Sequence, residues 1–529
     1  MNGKRTTAPA RRDYWLLAGI SAAISIGALI FYYHQGAILL YGDAVAHINI
    51  ARRVFDSRTP GLLQLGTVWL PLPHLLDIPF IVNDRMWQTG LGGSIPSMVA
   101  YVAGTLGVFR LVRGLTSRDQ ASPMAAWIAA LIYALNPNLI YMQATAMTES
   151  LYLALFIWSA VYFAEFVRQA REQAELAWKS LFKCGLVASA AMWVRYDGWF
   201  LAAVVAVSAV IVLWRLQSFV RPLRLGLISF VLLTGTTGGL FLVYNQFAYG
   251  NALEFANGPY SARAIQERSK TATTPTYPGE NSLRDATLQF LKVSRLNVAE
   301  GIPEILLFAA AFIALLASLY FSRRYLPWAI LWMPVPFYAL CIAWGSVPIY
   351  HPEWWPFSYY NVRYGLQLLP AIAVFAALSC EFLTNFFSRR HVAGAAALVI
   401  VVSYFSVWQR TPICLREAQA NGSERMALEQ ELARMLKALP PSATLMMNCG
   451  AHPGATQMAG IPFRRMLRES NPPYWEDALK RPADSADYII AFPGDDVAQA
   501  VQRFPQGLVA VATIGTPTRP KVLIYRASH

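Results

Sequence analysis

The chain has 529 residues, of which 56% are hydrophobic and only 14% are charged, and its formal net charge is +14 at pH 7. This composition excludes an ordinary soluble globular protein, in which about a quarter of the residues are charged. The basic residues lie between apolar runs and form neither a stripe nor a known binding motif, which argues against a nucleic-acid partner.

Apolar runs recur along the chain, and roughly 20 apolar residues suffice for a helix to cross a bilayer. Run length and flanking polarity predict a polytopic α-helical membrane protein with about eleven transmembrane helices. The first run, 14–33, is too long for a typical signal peptide and is predicted to be retained. The predicted spans are 14–33, 95–112, 123–137, 147–167, 181–194, 199–214, 225–247, 302–321, 326–345, 362–383 and 392–408.

Lys and Arg residues collect in alternate connections, which sets the predicted orientation by the positive-inside rule. With a cytoplasmic N-terminus, every inside connection is basic: 110–118, 168–183, 215–224, 323–324 and 389–390. The long and chemically varied loops then lie outside: 34–94, 138–148, 195–198, 248–301 and 346–361. We therefore expect a multi-pass protein of a bacterial inner membrane whose functional groups, although distant in sequence, share one cavity on the extracytoplasmic face.

Composition changes to that of a soluble domain after about residue 409. We predict a membrane domain over 1–409, with outer loops 34–94 and 248–301, and a small periplasmic α/β domain over 410–529. Its elements are a helix over 421–439 and strands over 443–447, 488–492, 508–514 and 522–525. The loop 248–301 combines a flexible segment, 271–278, with an amphipathic helix, 282–297, of the kind that lies in the membrane interface. Cys414 and Cys449 could pair in an oxidising compartment or remain free thiols.

The first outer loop carries Asp43 and His47, four residues apart on a predicted helix that runs from Asp43 to Phe55. Asp43 could simply cap this helix, or it could be a general base toward a hydroxyl group. His47 could orient an acceptor or a phosphate, or lie at the membrane surface. Arg53 could extend to the bilayer surface or contact a lipid phosphate.

Further polar groups follow other apolar runs on the same side. Glu149 favours a helix N-terminus through the helix dipole, but a carboxylate at the membrane boundary also suggests function. Arg195 and Asp197 could form a structural ion pair, or Arg195 could bind a phosphate through its planar fork of donors. Arg363 could likewise bind a phosphate. Arg263 and Tyr360, which lie in loops on the same side, are also predicted to bind substrate.

No metal site or nucleotide site is predicted. Pro352 prevents His351 and Glu353 from forming a helical ligand pair, and no phosphate-binding glycine loop opens a helix. An extracytoplasmic reaction lacks ready access to nucleotide sugars, so a donor carried by a membrane lipid suits the predicted architecture.

Four short motifs resemble the GT-C superfamily of polytopic glycosyltransferases, which use polyprenyl-phosphate-linked sugars and include dolichyl-phosphate-mannose mannosyltransferases and aminoarabinose transferases. The motifs, spread over residues 14–408, are Tyr41-Gly42-Asp43, Thr148-Glu149-Ser150-Leu151-Tyr152, Arg195-Tyr196-Asp197-Gly198-Trp199 and Asn361-Val362-Arg363-Tyr364. The resemblance implies a hexosyltransferase or a pentosyltransferase. The transferred sugar could be mannose-like, and the acceptor would be an extracytoplasmic protein, glycan or lipid.

The resemblance also implies roles for individual residues. Asp43 would be the catalytic base of an inverting displacement, and Arg195 and Arg363 would neutralise the departing polyprenyl phosphate. Many members carry two adjacent acids after the first span, whereas Ala44 follows Asp43 here, so no divalent metal or other cofactor is expected. The alternatives are a transporter or flippase, which the absence of an internal repeat disfavours, and an assembly protein in which Asp43 is only a cap.

Overall fold

A computed structural model describes residues 8–66, 68–116, 123–171, 173–217, 220–269, 275–321, 323–450, 452–471, 474–516 and 519–528. The basic residues before position 8, residues 117–118 of a predicted basic connection and residues 271–274 of the predicted flexible segment lie outside these ranges. Two compact units are present. The helical unit comprises Met1–Ala37, Thr67–Pro73 and Pro96–Ala420, and the α/β unit comprises Ile38–Gly66, His74–Ile95 and Asn421–His529.

This division differs from the predicted boundary at residue 409, because most of the loop 34–94 belongs with the C-terminal residues. Direct hydrogen bonds within the α/β unit explain the difference. Asn49 donates to the carbonyl of Pro453 over 2.9 Å, and Gln457 donates to the carbonyl of Trp87 over 2.8 Å. A backbone carbonyl buried without a partner would be destabilising, so these side chains tie the loop to the C-terminal segment.

The α-helices of the described residues are α1 (Ala8–His34), α2 (Gly42–Arg53), α3 (Pro71–Ile81), α4 (Asp84–Thr89), α5 (Leu91–Thr116), α6 (Met124–Ala134), α7 (Pro137–Gln143), α8 (Glu149–Gln169), α9 (Ala174–Met192), α10 (Asp197–Leu216), α11 (Arg221–Tyr249), α12 (Glu254–Asn257), α13 (Ala262–Ser269), α14 (Leu283–Val298), α15 (Ile302–Phe321), α16 (Pro334–Trp344), α17 (Leu369–Leu383), α18 (Arg389–Gln409), α19 (Ile413–Lys437), α20 (Gly454–Ala459), α21 (Tyr474–Lys480), α22 (Pro482–Ser485) and α23 (Asp496–Arg503). Short 3-10 helices span Leu62–Gln64, Arg323–Trp332, Val362–Leu368 and Phe463–Arg465. The predicted helix that begins near Asp43 is confirmed as α2.

Nine helical segments of the described residues are long and apolar enough to cross a membrane, so the fold is polytopic and helical as predicted, with fewer spans than the expected eleven or so. One difference is α6, whose 11 residues extend only roughly 16 Å at 1.5 Å per residue. The other is α9, in which Glu175, Lys179 and Lys183 interrupt the apolar run. Hydropathy alone predicts both as spans, whereas the length of α6 and the charges of α9 place them outside these nine segments.

The predicted interfacial helix is instead part of the interior of the helical unit. In α14, Phe290, Val293 and Leu296 are buried and form a hydrophobic core with Tyr338 and Ile342 of α16. The ring of Phe290 stacks on that of Tyr338 at a centroid distance of 4.7 Å. The amphipathic pattern correctly predicted a helix. Phe290, Val293 and Leu296 pack against protein, whereas Leu283 and Leu288 are exposed.

The α/β unit contains a five-stranded sheet in the order β2-β1-β3-β5-β4. The strands are β1 (Leu445–Met447), β2 (Met466–Leu467), β3 (Tyr488–Ala491), β4 (Leu508–Thr516) and β5 (Arg519–Ala527). β1 pairs in parallel with β2 and β3, whereas β5 is antiparallel to both β3 and β4. The four predicted strands are confirmed, and the two-residue β2 was too short to give a sequence signal.

Candidate active site

Four of the residues singled out in the sequence meet at helix ends in the helical unit. Glu149 is the first residue of α8, Asp197 is the first residue of α10, and Arg195 lies in the short joint between α9 and α10. Arg363 lies in the 3-10 helix Val362–Leu368, directly before α17. Helix N-termini carry partial positive charge, so the two carboxylates occupy favourable positions there.

The carboxylate of Glu149 joins the two arginines. Its Oε1 lies 3.2 Å from Nη1 of Arg195 and 3.3 Å from Nε of Arg363. Arg195 also contacts Asp197, with Nε 3.3 Å from Oδ1, and donates to the hydroxyl of Thr148. Arg195 and Asp197 therefore form the ion pair considered in the sequence analysis. The same network also includes Glu149 and Arg363.

Aromatic side chains surround this network. The hydroxyl of Tyr338 lies 3.0 Å from Nη2 of Arg195 and donates to Oδ2 of Asp197 over 2.9 Å. The ring of Tyr364 lies 4.8 Å from the guanidinium carbon of Arg195 and 5.1 Å from that of Arg363. A guanidinium over an aromatic face is stabilised electrostatically, and both arginines share one ring.

The carboxylate of Glu417 in α19 contacts both the backbone and the side chain of Arg363 and so orients it. Its carboxylate accepts hydrogen bonds from the backbone N–H groups of Val362, over 2.9 Å, and Arg363, over 3.3 Å. The same carboxylate lies 3.5 Å from Nη1 of Arg363. Sequence reasoning missed Tyr338 because it lies within an apolar run, and missed Glu417 because it belongs to a helix with many charges.

The network places three carboxyl groups beside two guanidinium groups. Glu149, Asp197 and Glu417 are each at most 1% exposed, and Arg363 is 9% exposed. Oε2 of Glu149 and the hydroxyl of Tyr152 are buried without a hydrogen-bond partner in the described structure. Buried charges are retained where pairing and hydrogen bonding offset desolvation, so this network fixes its members firmly and leaves acceptor capacity for a polar ligand.

The joint that carries Arg195 depends on close approach of backbone at Gly198. A Cβ there would lie 2.4 Å from the carbonyl oxygen of Ala191. We expect Gly198→Ala to lower the free energy of unfolding by about 1–3 kcal/mol, as overpacked interiors do. The control Gly239→Ala, where a Cβ meets nothing within 4 Å, should preserve or raise stability. Thermal unfolding in detergent compares the two, and equal melting temperatures for them would contradict the close-approach argument.

The second group of candidates lies in the α/β unit. Asp43 is half-buried in the first turn of α2, and Tyr41 rather than Asp43 occupies the N-cap position. Nδ1 of His47 lies 2.9 Å from Nε2 of His74 in α3, and both rings are buried. Burial, followed by the neighbouring His47 and Arg53, holds the pKa of His74 well below its usual value. His74 therefore shares one hydrogen bond with His47 as a neutral imidazole, which fixes the ring of His47 one turn beyond Asp43.

Arg53 donates to the backbone carbonyl of Gln64 over 3.0 Å. Its neighbour Arg52 is buried and contacts Asp56, the carbonyl of Ile81 and Asp84. These contacts anchor the C-terminal end of α2, where cations also interact favourably with the helix dipole.

Two further candidates lie elsewhere in the helical unit. Arg263 is exposed on α13 and pairs with Glu267 of the same helix over 2.9 Å. Tyr360 forms an antiparallel bridge with Tyr350 and keeps 42% of its surface exposed.

The described residues contain no group of three or more His, Cys, Asp or Glu side chains placed to hold a metal ion. The five cysteines are free thiols in the structure. Sγ of Cys414 lies 3.2 Å from Oδ1 of Asn297, and Cys449 is buried beside the carbonyl of Met447.

His351 is fully buried in the loop before Arg363, where its Nδ1 accepts a hydrogen bond from the backbone N–H of Glu353. Burial is the main cause that lowers its pKa to about 4, against an opposing effect of Glu353. Between about pH 6.5 and pH 4, His351 is protonated in the unfolded chain but stays neutral in the folded protein. Protonation therefore favours the unfolded chain, and the stability that the neutral His351 contributes above about pH 6.5 is lost as pH falls through this window.

We expect the stability difference between wild type and His351→Gln to shrink by up to about 3 kcal/mol from pH 7 to pH 4. Melting temperatures of the two proteins at matched pH values measure it. A difference that stayed constant across the window would contradict a neutral buried His351.

No family profile and no curated protein sequence matches the chain significantly. Solved structures do. ArnT from Cupriavidus metallidurans bound to undecaprenyl phosphate is similar with a TM-score of 0.61 at 12% identity, over 98% of both chains. The oligosaccharyltransferase of Archaeoglobus fulgidus in its apo form gives a TM-score of 0.54 at 11% identity, over 90% of this chain and 69% of that one.

A third similar structure is AglB, the oligosaccharyltransferase of Archaeoglobus fulgidus, in complex with an inhibitory peptide and a dolichol-phosphate. Its TM-score is 0.50 at 12% identity, over 92% of this chain and 70% of that chain. At these identities the similarity establishes the fold alone. The chain therefore has the polytopic helical fold of these structures, which is the fold class that the resemblance of its four motifs implied.

Proposed function

We propose that this chain is an integral membrane glycosyltransferase that transfers a sugar from a polyprenyl-phosphate-linked donor to an extracytoplasmic acceptor. The observation that carries the proposal is the pair of guanidinium groups, buried Arg363 and half-buried Arg195, joined by Glu149 in a polytopic fold. A structure of the same fold holds undecaprenyl phosphate, and another holds a dolichol-phosphate with a peptide. These relatives support a lipid-linked donor for this chain.

In the proposed reaction, Asp43 removes the proton from the acceptor hydroxyl as its oxygen attacks the anomeric carbon. The bond between that carbon and the phosphate oxygen breaks, and the polyprenyl phosphate leaves with the electron pair. Attack opposite the leaving group inverts the anomeric configuration. Arg195 and Arg363 neutralise the phosphate, which lowers the barrier where negative charge develops. His47, held by His74, orients the acceptor, and no metal ion is required by these steps.

The charge balance of the network constrains how the phosphate binds. Both guanidinium groups already contact carboxylates, and three carboxyl groups face two guanidinium groups. An arriving phosphate must therefore compete with a carboxylate, and Glu149 is the one that both arginines share. We infer that the phosphate replaces the contact with Glu149, while Glu417 and Asp197 keep the arginines in place. Arg53, Arg263 and Tyr360 remain proposed contacts with lipid or acceptor outside this network.

The proposed setting is a bacterial inner membrane, with the N-terminus in the cytoplasm and the reaction on the periplasmic side. The sugar is a hexose, such as mannose, or a pentose. The acceptor is a protein, glycan or lipid that reaches the outer leaflet.

A transfer assay tests the proposal against the transporter alternative. Protein in nanodiscs receives a panel of undecaprenyl-phosphate-linked hexoses and pentoses with extracts of periplasmic glycans, lipids and proteins, and release of undecaprenyl phosphate is measured. We expect release with at least one donor. No release with any donor, combined with movement of an intact donor between leaflets in proteoliposomes, would replace the enzyme with a flippase.

A further inference from the structure

The turn that leads into α2 is held by a side chain from the C-terminal part of the α/β unit. Arg425 of α19 donates through Nη2 to the backbone carbonyls of Leu39, over 2.8 Å, and Leu40, over 3.0 Å. These two residues directly precede Tyr41 and Gly42, and therefore lie three and four positions before Asp43. Two charge-assisted hydrogen bonds from one guanidinium fix adjacent peptide groups more firmly than neutral bonds would.

Arg425 is itself held in one orientation. Its Nη1 forms an ion pair with Glu429, one turn later on α19. Glu429 is fully buried, and its other oxygen accepts a hydrogen bond from the backbone N–H of Gly454 at the start of α20, over 3.0 Å. The contacts therefore run from the C-terminal sheet region through Glu429 and Arg425 to the turn before Asp43.

The approach of α19 to this turn requires glycine. A Cβ on Gly422 would lie 2.0 Å from the carbonyl oxygen of Leu40, so no larger residue fits without moving the turn or the helix. On the opposite side of the contact, a Cβ on Gly42 would lie 3.6 Å from Nε of Arg425. The guanidinium therefore lies against the first residue of α2 as well as against the two carbonyls.

We propose that Arg425 is a positioning residue for Asp43, so that the C-terminal segment of the α/β unit acts on catalysis by holding the start of α2. This inference rests on the proposed function, in which Asp43 is the general base. A general base must lie within hydrogen-bond reach of its proton, and displacement by about 1 Å can reduce turnover about 100-fold. Arg425 acts on the rate through the position of α2 and does not touch the reacting atoms.

Two variants change the guanidinium: Arg425→Gln keeps a neutral donor, and Arg425→Lys keeps the charge without the planar fork. A third, Gly422→Ala, places a Cβ against the carbonyl oxygen of Leu40. Two matched controls are Arg434→Gln, an exposed arginine of the same helix, and Gly394→Ala, a helical glycine whose Cβ would meet nothing within 4 Å. All variants are full-length protein in nanodiscs.

Three readouts separate positioning from general damage. We expect Arg425→Gln and Gly422→Ala to lower kcat about 100-fold, with Arg425→Lys intermediate at about tenfold. Binding of undecaprenyl phosphate should stay within the range of the two controls. Turnover is compared at a temperature at which every variant is folded, because Arg425→Gln leaves Glu429 buried without its cation and Gly422→Ala overpacks the turn. Amide hydrogen exchange over residues 38–46 should rise in the two stronger variants and remain unchanged in the controls.

The outcomes distinguish this inference from the proposed function. If Asp43→Asn abolishes turnover while Arg425→Gln and Gly422→Ala turn over like the controls, the positioning role is wrong and the proposed base stands. If Asp43→Asn retains turnover, the proposed function fails and the positioning role fails with it. Unchanged exchange over 38–46 in Arg425→Gln would overturn the inference whatever the activity.

Discussion

Replacing Asp43 with asparagine is expected to reduce sugar transfer about 10²–10⁴-fold, the contribution that a positioned general base makes to a rate. The substitution keeps the size and shape of the side chain and removes only its capacity to take a proton. Binding of undecaprenyl phosphate should be unchanged, because Arg195 and Arg363 are proposed to bind the phosphate and Asp43 is proposed to act on the acceptor hydroxyl.

A matched control separates catalysis from helix stability. Asp43 lies in the first turn of α2, and Asp496 lies exposed in the first turn of α23. Each acid interacts with the N-terminal end of a helix dipole by about 0.3–1 kcal/mol. Asp496→Asn should therefore lose as much helix stability as Asp43→Asn without losing transfer. Comparable activities in the two variants would show that Asp43 contributes only to its helix.

Replacing Arg195 with glutamine is expected to abolish transfer and to destabilise the protein by about 3–5 kcal/mol, because Glu149 and Asp197 would remain buried without their shared cation. The double variant Arg195→Gln/Asp197→Asn distinguishes the two effects. Removal of the second charge should restore part of the stability, but transfer and binding of undecaprenyl phosphate should stay lost. Arg263→Gln is the control, since an exposed ion pair on one helix contributes less than about 1 kcal/mol.

Glu149→Gln is expected to strengthen the binding of undecaprenyl phosphate, whereas Arg195→Gln abolishes it. It removes the carboxylate that competes for both guanidinium groups, and one fewer negative charge beside the phosphate should tighten the binding of undecaprenyl phosphate at least about tenfold, or 1.4 kcal/mol. Titration of the labelled lipid into nanodiscs measures this affinity. Weaker binding in Glu149→Gln would show that Glu149 supports the site rather than competing in it.

Much of the fold follows from patterns that depend on local chemistry. Apolar run length identified the long spans, and the spacing of Asp43 and His47 on one face identified α2, because both signals reflect the helix period and the thickness of hydrocarbon. Glu149, Arg195, Asp197 and Arg363 were singled out within a larger set of polar residues, because charged residues beside apolar runs are rarely retained without a partner or a function. The sequence did not separate these four from Asp43, His47 and Arg263.

The missed features depend on contacts between residues far apart in the chain. The buried face of α14 has the same sequence pattern as a lipid-facing one, so only its packing against α16 distinguishes them. Tyr338 has no local sign of its bond to Asp197, and Arg425 has none of its bonds to Leu39 and Leu40. The assignment of most of the loop 34–94 to the α/β unit rests on such bonds and could not be predicted from composition.

The position of a bound lipid phosphate tests the central claim most directly. A cryo-EM structure of the protein in nanodiscs with undecaprenyl phosphate should show phosphate density within hydrogen-bond distance, about 2.7–3.2 Å, of guanidinium N–H groups of Arg195 or Arg363. Phosphate density bound elsewhere, with both arginines still on Glu149, would contradict the proposed donor site.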